Sequence, residues 1–204
     1  MRLALLVTLA ILAFAGNSLL TRAGLAVELI GAASFAAIRL VAGAGLLVVL
    51  AGWRGQRVRP TRADIKGIAA LAVYMLGFTF AYVELPAATG ALILFASVQL
   101  TIVAASLLAG QMLTRLEALG GVIALCGLAW LLFDDLRTPQ AVPAMLMVLA
   151  GAAWGVYTLV GRGATDALAM TARNFVGAAP VGVVAWWLAP SLPAEPAGVV
   201  AAVL

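Results

Sequence analysis

The chain has 204 residues, 65% of them hydrophobic and only 10% charged, with a mean hydropathy of +1.16 and a formal net charge of +4. A water-soluble domain of this size needs far more polar surface, and the short alternating segments of a membrane β-barrel are absent. The sequence therefore reads as an all-α, polytopic membrane helical bundle. Its basic balance does not point to nucleic acid. Five of the twelve basic residues (Arg54, Arg57, Arg59, Arg62 and Lys66) share one short loop, where control of membrane topology is the simpler role.

Apolar runs long enough to cross about 30 Å of hydrocarbon are expected at 3–21, 32–53, 65–83, 87–109, 115–133, 142–161 and 170–189, with an eighth beginning near Ala197. The first run opens on Arg2 and carries "AFA" before Gly16, which mimics a cleavable signal peptide. Asn17 and Ser18 sit beside that Gly16. The second run holds Arg39 among residues a bilayer favours, and "GQRVRPTR" (55–62) ends it. In the third, Tyr74, Phe78 and Tyr82 recur every four residues and so share one helical face. The joint at Pro86 is short and implies a tight antiparallel pair.

In the fourth run, Gln99 and Ser106 share one face and Ser97 and Thr101 another. Cys126, the single cysteine, lies in the fifth run, so no intramolecular disulfide forms and a small packed thiol is expected. The sixth run contains "GAAWG" (151–155), a GxxxG pattern suited to close helix packing, with Trp154, Tyr157 and Thr158 around Gly155. The seventh carries Arg173. With the N-terminus in the cytoplasm, eight basic residues flank the inner side (Arg2, the loop cluster, Arg115, Arg162) and two the outer side (Arg22, Arg137). Glu28, Glu84, Asp134, Asp135 and Glu195 then fall outside.

Three consecutive segments repeat. "AIRLVAGAGLLVVLAGW" (37–53) lies over "TARNFVGAAPVGVVAWW" (171–187) at an offset of 134, pairing Arg39 with Arg173, Gly43 with Gly177 and Trp53 with Trp187. "AFAGNSLLTRAG" (13–24) lies over "AAWGVYTLVGRG" (152–163) at an offset of 139, and "DIKGIAAL" (64–71) resembles "EPAGVVAAVL" (195–204). Self-similarity in this order marks an internal repeat. Five spans separate the start of one copy from the start of the next, so the second enters the membrane from the opposite side, as in carriers built from inverted repeats. The first run then has a counterpart and is read as a retained span. The expected organisation is a first five-helix repeat at 1–134 and an incomplete second repeat at 135–204, truncated from ten spans. A short form completed by homodimerisation is the alternative.

The arginine-bearing second span, the stretch "YVELPAATGALILFASVQLTIVAASLLAGQMLTRLEALGGVIALCGLAWLLF" (82–133) and "AAWGVYTLVGRG" together resemble the EamA branch of the drug/metabolite transporter superfamily. The resemblance covers essentially the whole chain. It implies a ten-helix carrier in the bacterial inner membrane, moving small metabolites, amino acids and drugs among them, without ATP, with efflux the usual direction. Two positions depart from the family's pattern: Val98–Gln99 stands where a proline is common, and Gln111 where a glutamate is common.

Nothing in the sequence points to an enzyme. There is no His for a metal motif or a histidine-based triad, and no phosphate-binding GxxxxGK[ST]. No cofactor or metal is expected; the expected partners are the lipid bilayer and a small-molecule solute. Candidate pathway residues are Asn17, Ser18, Arg39, Tyr74, Phe78, Gln99, Trp154, Tyr157 and Arg173. Each could line a solute path or bind helices together. A non-transporting membrane scaffold or partner subunit is the rival class. Glu84, at the outer end of the third run, is read as a solvated helix-end carboxylate.

Overall fold

A computed structural model of the chain describes residues 2–26, 29–111, 114–131, 140–189 and 195–203. Glu28, Asp134, Asp135 and Arg137, and the repeat boundary near 134, lie outside the described residues. Among the described residues eight α-helices follow in order: α1 Arg2–Ala26, α2 Ala32–Trp53, α3 Ile65–Ala81, α4 Ala87–Leu108, α5 Arg115–Leu131, α6 Ala141–Gly161, α7 Ala167–Leu188 and α8 Pro196–Val203. Among the described residues there is no strand. In lipid the backbone must satisfy its own polar groups, and the helix does so within one segment.

Among the described residues, six stretches, within or overlapping α1, α2, α3, α4, α6 and α7, are long and apolar enough to span a membrane. The bundle's outer surface is correspondingly apolar, with Leu46, Leu100, Leu107, Leu149 and Val184 all exposed. Trp53 and Trp187 stand exposed at helix ends, where an amphipathic ring suits the membrane–water boundary. The protein is an integral membrane protein.

The helix ends explain where the boundaries fall. Gly55, Gly110 and Gly163 take φ of +71°, +76° and +78° just after α2, α4 and α6, a conformation that ends a helix at little cost only for glycine. The starts of α3, α5 and α7 carry acidic caps. Thr61 and Asp64 close a capping box, the Thr114 amide donates to Glu117 at 2.9 Å, and the Asp166 carboxylate accepts from the Ala169 amide at 3.0 Å. The cap at Asp166 starts α7 three residues before the expected 170.

The first helix runs to Ala26 rather than 21. Its last turns are held by the Thr21 hydroxyl, donating to the Asn17 carbonyl at 2.7 Å, and by Arg22, donating to the Tyr82 and Val83 carbonyls at 2.9 and 2.7 Å. Those carbonyls end α3 and have no partner of their own further along a helix. The remaining helices begin and end within two residues of expectation where they are described.

Contacts fix the polarity of each pair. Gly43 of α2 meets Phe175 of α7, and Leu40 of α2 meets Gly182, so these helices run antiparallel. Gly151 lies against Leu94 and Ser97, and Gly155 against Val98 and Thr101, so α4 and α6 run parallel. The chain between them must return across the membrane. That passage contains α5, whose 17 described residues span about 25 Å. The most extensive packing joins α2 to α7 and α3 to α6; α4 lies on α6, α3 on α7, and the short α8 on α1 and α2.

The GxxxG pattern is thus the seat of α4 on α6. A Cβ on Gly151 would stand 2.5 Å from the Leu94 carbonyl oxygen, and one on Gly155 2.8 Å from Thr101 Cβ. Ser97 and Thr101 spend their hydroxyls on the carbonyls one turn back, at 2.7 Å each, and serve this contact with their carbon atoms. Gly151→Leu should lower stability by about 1–3 kcal/mol, the usual cost of overpacking. The check is denaturant unfolding in detergent micelles, against a Gly120→Leu control, where a Cβ meets nothing within 4 Å.

Candidate functional site

Polar side chains in a spanning helix are costly and therefore informative, and three of them converge on one cavity of about 470 Å³. Its wall is built from Ala10, Ala13, Phe14 and Asn17 of α1, Arg39 and Gly43 of α2, and Leu71, Tyr74 and Met75 of α3. Trp154 of α6, Phe175 of α7, and Ala202 and Val203 of α8 complete it. The lining residues of α1, α2, α3, α6 and α7 come from the inner portions of their helices, so the cavity lies within the membrane.

Arg39 supplies the charge. It stands about 10 Å from the start of α2, where a centrally placed arginine costs about 2.5–3.5 kcal/mol on insertion scales. Neutral partners offset part of that cost. The guanidinium donates to the Thr21 hydroxyl at 2.8 Å and to the Asn17 side-chain oxygen, and its carbon lies 5.4 Å from the Phe35 ring centroid. Thr21 holds this arrangement in turn, because its own proton goes to the Asn17 carbonyl.

Aromatic rings supply much of the remaining lining. Trp154 lies 4.6 Å from Tyr74, 5.3 Å from Tyr157 in a stacked arrangement, and 6.1 Å from Phe14 edge to face. Offset and edge-on rings attract one another beyond simple burial. Tyr74 continues the series to Phe78 at 5.3 Å and Phe78 to Tyr82 at 4.7 Å.

The structure divides the candidate residues. Asn17, Arg39, Tyr74 and Trp154 meet at the cavity, with Tyr157 stacked behind Trp154 and its hydroxyl without a partner. Phe78 is fully buried in the core beside Tyr74, and Ser18 is buried next to Asn17 without lining the cavity. Gln99 is exposed, in a separate groove with residues of α4 and α5 and Arg162.

Arg173 is elsewhere as well. Its Nε lies 3.1 Å from Asp64, whose side chain is 6% exposed, at the start of α3. Near this pair, Gln56 donates to Asp166 across the loops that follow α2 and α6. Asp64 was not among the candidates, and only its opposite charge marked it as a partner for an arginine 109 positions away. Phe14, Met75 and Phe175 were missed too; the spacing of Phe14, one turn before Asn17, could have found it.

Fold and site define a polytopic helical membrane protein with a polar-and-aromatic cavity inside the bundle. No protein-family profile matches the chain, and no solved structure matches it. Over 177 residues it is 50% identical to an uncharacterized protein of Pseudomonas aeruginosa, an alignment that takes in 87% of this chain. The chain spans 62% of that relative's length.

The Asp64–Arg173 pair is mostly shielded, so removing one partner leaves a charge without compensation. Asp64→Ala and Arg173→Ala should each lower stability by about 1–3 kcal/mol, and the double variant should lose clearly less than their sum. Thermal unfolding of all three variants in detergent checks this, and additive losses would contradict it.

Proposed function

We propose that the chain is the helical core of a secondary carrier of the drug/metabolite transporter superfamily, EamA branch. It would move a small solute by alternating access between two inverted repeats. The observation that carries this reading is the place of the cavity. Its lining is drawn from α1, α2 and α3 and from α6, α7 and α8 together, the two sets of helices that repeat in the sequence.

The packing supports the same reading. Exchange α1 with α6, α2 with α7, and α3 with α8. The α3–α6 pairing then becomes α8–α1, α3–α7 becomes α8–α2, and α2–α7 maps onto itself, and each of these pairings is made. An inverted repeat also requires matched helices to point in opposite directions, and α2 and α7 are antiparallel. Carriers of this design bind solute near the midplane, at the repeat interface, and rock one repeat against the other.

The distribution of basic residues favours a cytoplasmic N-terminus and a cytoplasmic loop after α2. On that side, Asp64–Arg173 and Gln56–Asp166 each join an element of one repeat to an element of the other. These contacts must part for the cavity to open inward. On the other side the Glu195 amide donates to the Leu29 carbonyl at 2.8 Å, tying the start of α8 to the chain before α2. Rocking would break one set of ties while keeping the other. The resemblance favours a bacterial inner-membrane location and efflux.

The test needs no known solute. Ala13→Cys, in a Cys126→Ser background, is exposed to a membrane-impermeant thiol reagent applied to either face of sealed vesicles. A carrier is labelled from both faces, and cross-linking a cysteine pair at 64 and 173 confines labelling to the outer face. Labelling from one face only, with no cross-link present, would contradict alternating access.

A further inference from the structure

The two repeated arginines meet different electrostatic fates. Arg173 has a carboxylate, Asp64, at 3.1 Å. Arg39 has a hydroxyl, an amide oxygen and a ring, all neutral, and among the described residues no carboxylate pairs with it. The repeat position equivalent to Asp64 is Glu195, and it does not fill the gap. Its backbone is tied to Leu29 at the end of the bundle and the residue is exposed.

A guanidinium carries five N–H donors in a planar fork that matches a carboxylate. Two of its nitrogens are engaged here, each by one neutral acceptor, so donors and the full charge remain for a ligand. Arg39 lines the cavity, and Trp154, Tyr74 and Phe14 present ring surface in the same space. A volume of about 470 Å³ falls within the usual range for small-molecule sites. We infer that this cavity binds a small aromatic carboxylate, its acid group on Arg39 beside Asn17 and its ring against Trp154 and Tyr74. The bound anion supplies the negative charge that Asp64 supplies to Arg173. The inference rests on the carrier reading for the anion's passage across the membrane, though not for its binding.

Three probes of nearly equal shape separate charge from ring: phenylacetate, 2-phenylethanol and phenethylamine. Titration calorimetry on the purified protein in phosphatidylcholine nanodiscs should give saturable phenylacetate binding at least tenfold tighter than either of the others. Arg39→Gln should abolish that preference, Arg39→Lys should keep part of it, and Arg173→Gln should leave it intact. Circular dichroism and gel filtration identify any variant that fails to fold, and Arg39→Lys preserves the test if Arg39→Gln is one. Equal binding of acid and alcohol by the unaltered protein would overturn the site, as would a preference that survives Arg39→Gln. Repeating the titration in phosphatidylglycerol nanodiscs separates solute from lipid. Unchanged affinity supports a solute site, and a tenfold loss would assign Arg39 to lipid headgroups and overturn it. Acid-selective binding combined with one-sided labelling of Ala13→Cys would sink the carrier reading alone. Two-sided labelling without acid selectivity would sink this inference alone.

Discussion

The seam between α2 and α7 is the contact on which the rest of the arrangement depends. Each helix offers a glycine where the other offers bulk. Phe175 fills the space over Gly43, and Leu40 fills the space over Gly182, where a Cβ would also stand 3.2 Å from the Ala37 Cα. Between lipid-embedded helices the apolar driving force is weak, and close backbone approach takes its place. The seam brings Arg39 and Phe175 into one cavity wall. It also supports α3, which packs on α7 and α2 and in turn packs on α6, where Tyr74 and Trp154 meet.

Charge is then handled locally and in two ways. Near the loop after α2, Arg173 is neutralised by Asp64, a residue that also closes the Thr61 capping box and is held in place by it. Inside the bundle Arg39 is held in place by Thr21 and Asn17 without being neutralised. The first arrangement suits a tie between helices that must be rigid in one state. The second suits a site that keeps its charge for something else. Rings provide the remaining surface, and their edge-on and offset contacts fix the wall of the cavity with few hydrogen bonds.

Much of the fold was legible because a bilayer sets the length of a spanning helix, and apolar runs bounded by Gly, Pro and charge mark it directly. The ends that shifted were decided by reach: Arg22 extends α1 by capping the end of α3, and Asp166 starts α7 early. The GxxxG seat at Gly151 and Gly155 was legible because small residues at that spacing have few other uses in a membrane. The site was only half legible. Asn17, Arg39, Tyr74 and Trp154 stood out as polar or aromatic residues within spans, but Gln99 and Arg173 stood out equally and lie away from the cavity. A helix that is apolar all round carries no periodic signal for which face turns inward. Only its neighbours decide that, and the neighbours lie on other helices, 22 positions apart for Asn17 and Arg39 and 109 for Asp64 and Arg173.

An inverted-repeat carrier requires α1–α3 and α6–α8 to be the same unit inserted in opposite senses. Glu195 and the loop after α2 are equivalent points of the two copies, so opposite insertion puts them on opposite sides of the membrane. Single cysteines at 59 and 195, each in a Cys126→Ser background, can be probed in intact spheroplasts with a membrane-impermeant maleimide. Opposite insertion predicts that Glu195→Cys is labelled at once and that Arg59→Cys is labelled only after permeabilisation. Labelling of both from the same side would contradict it.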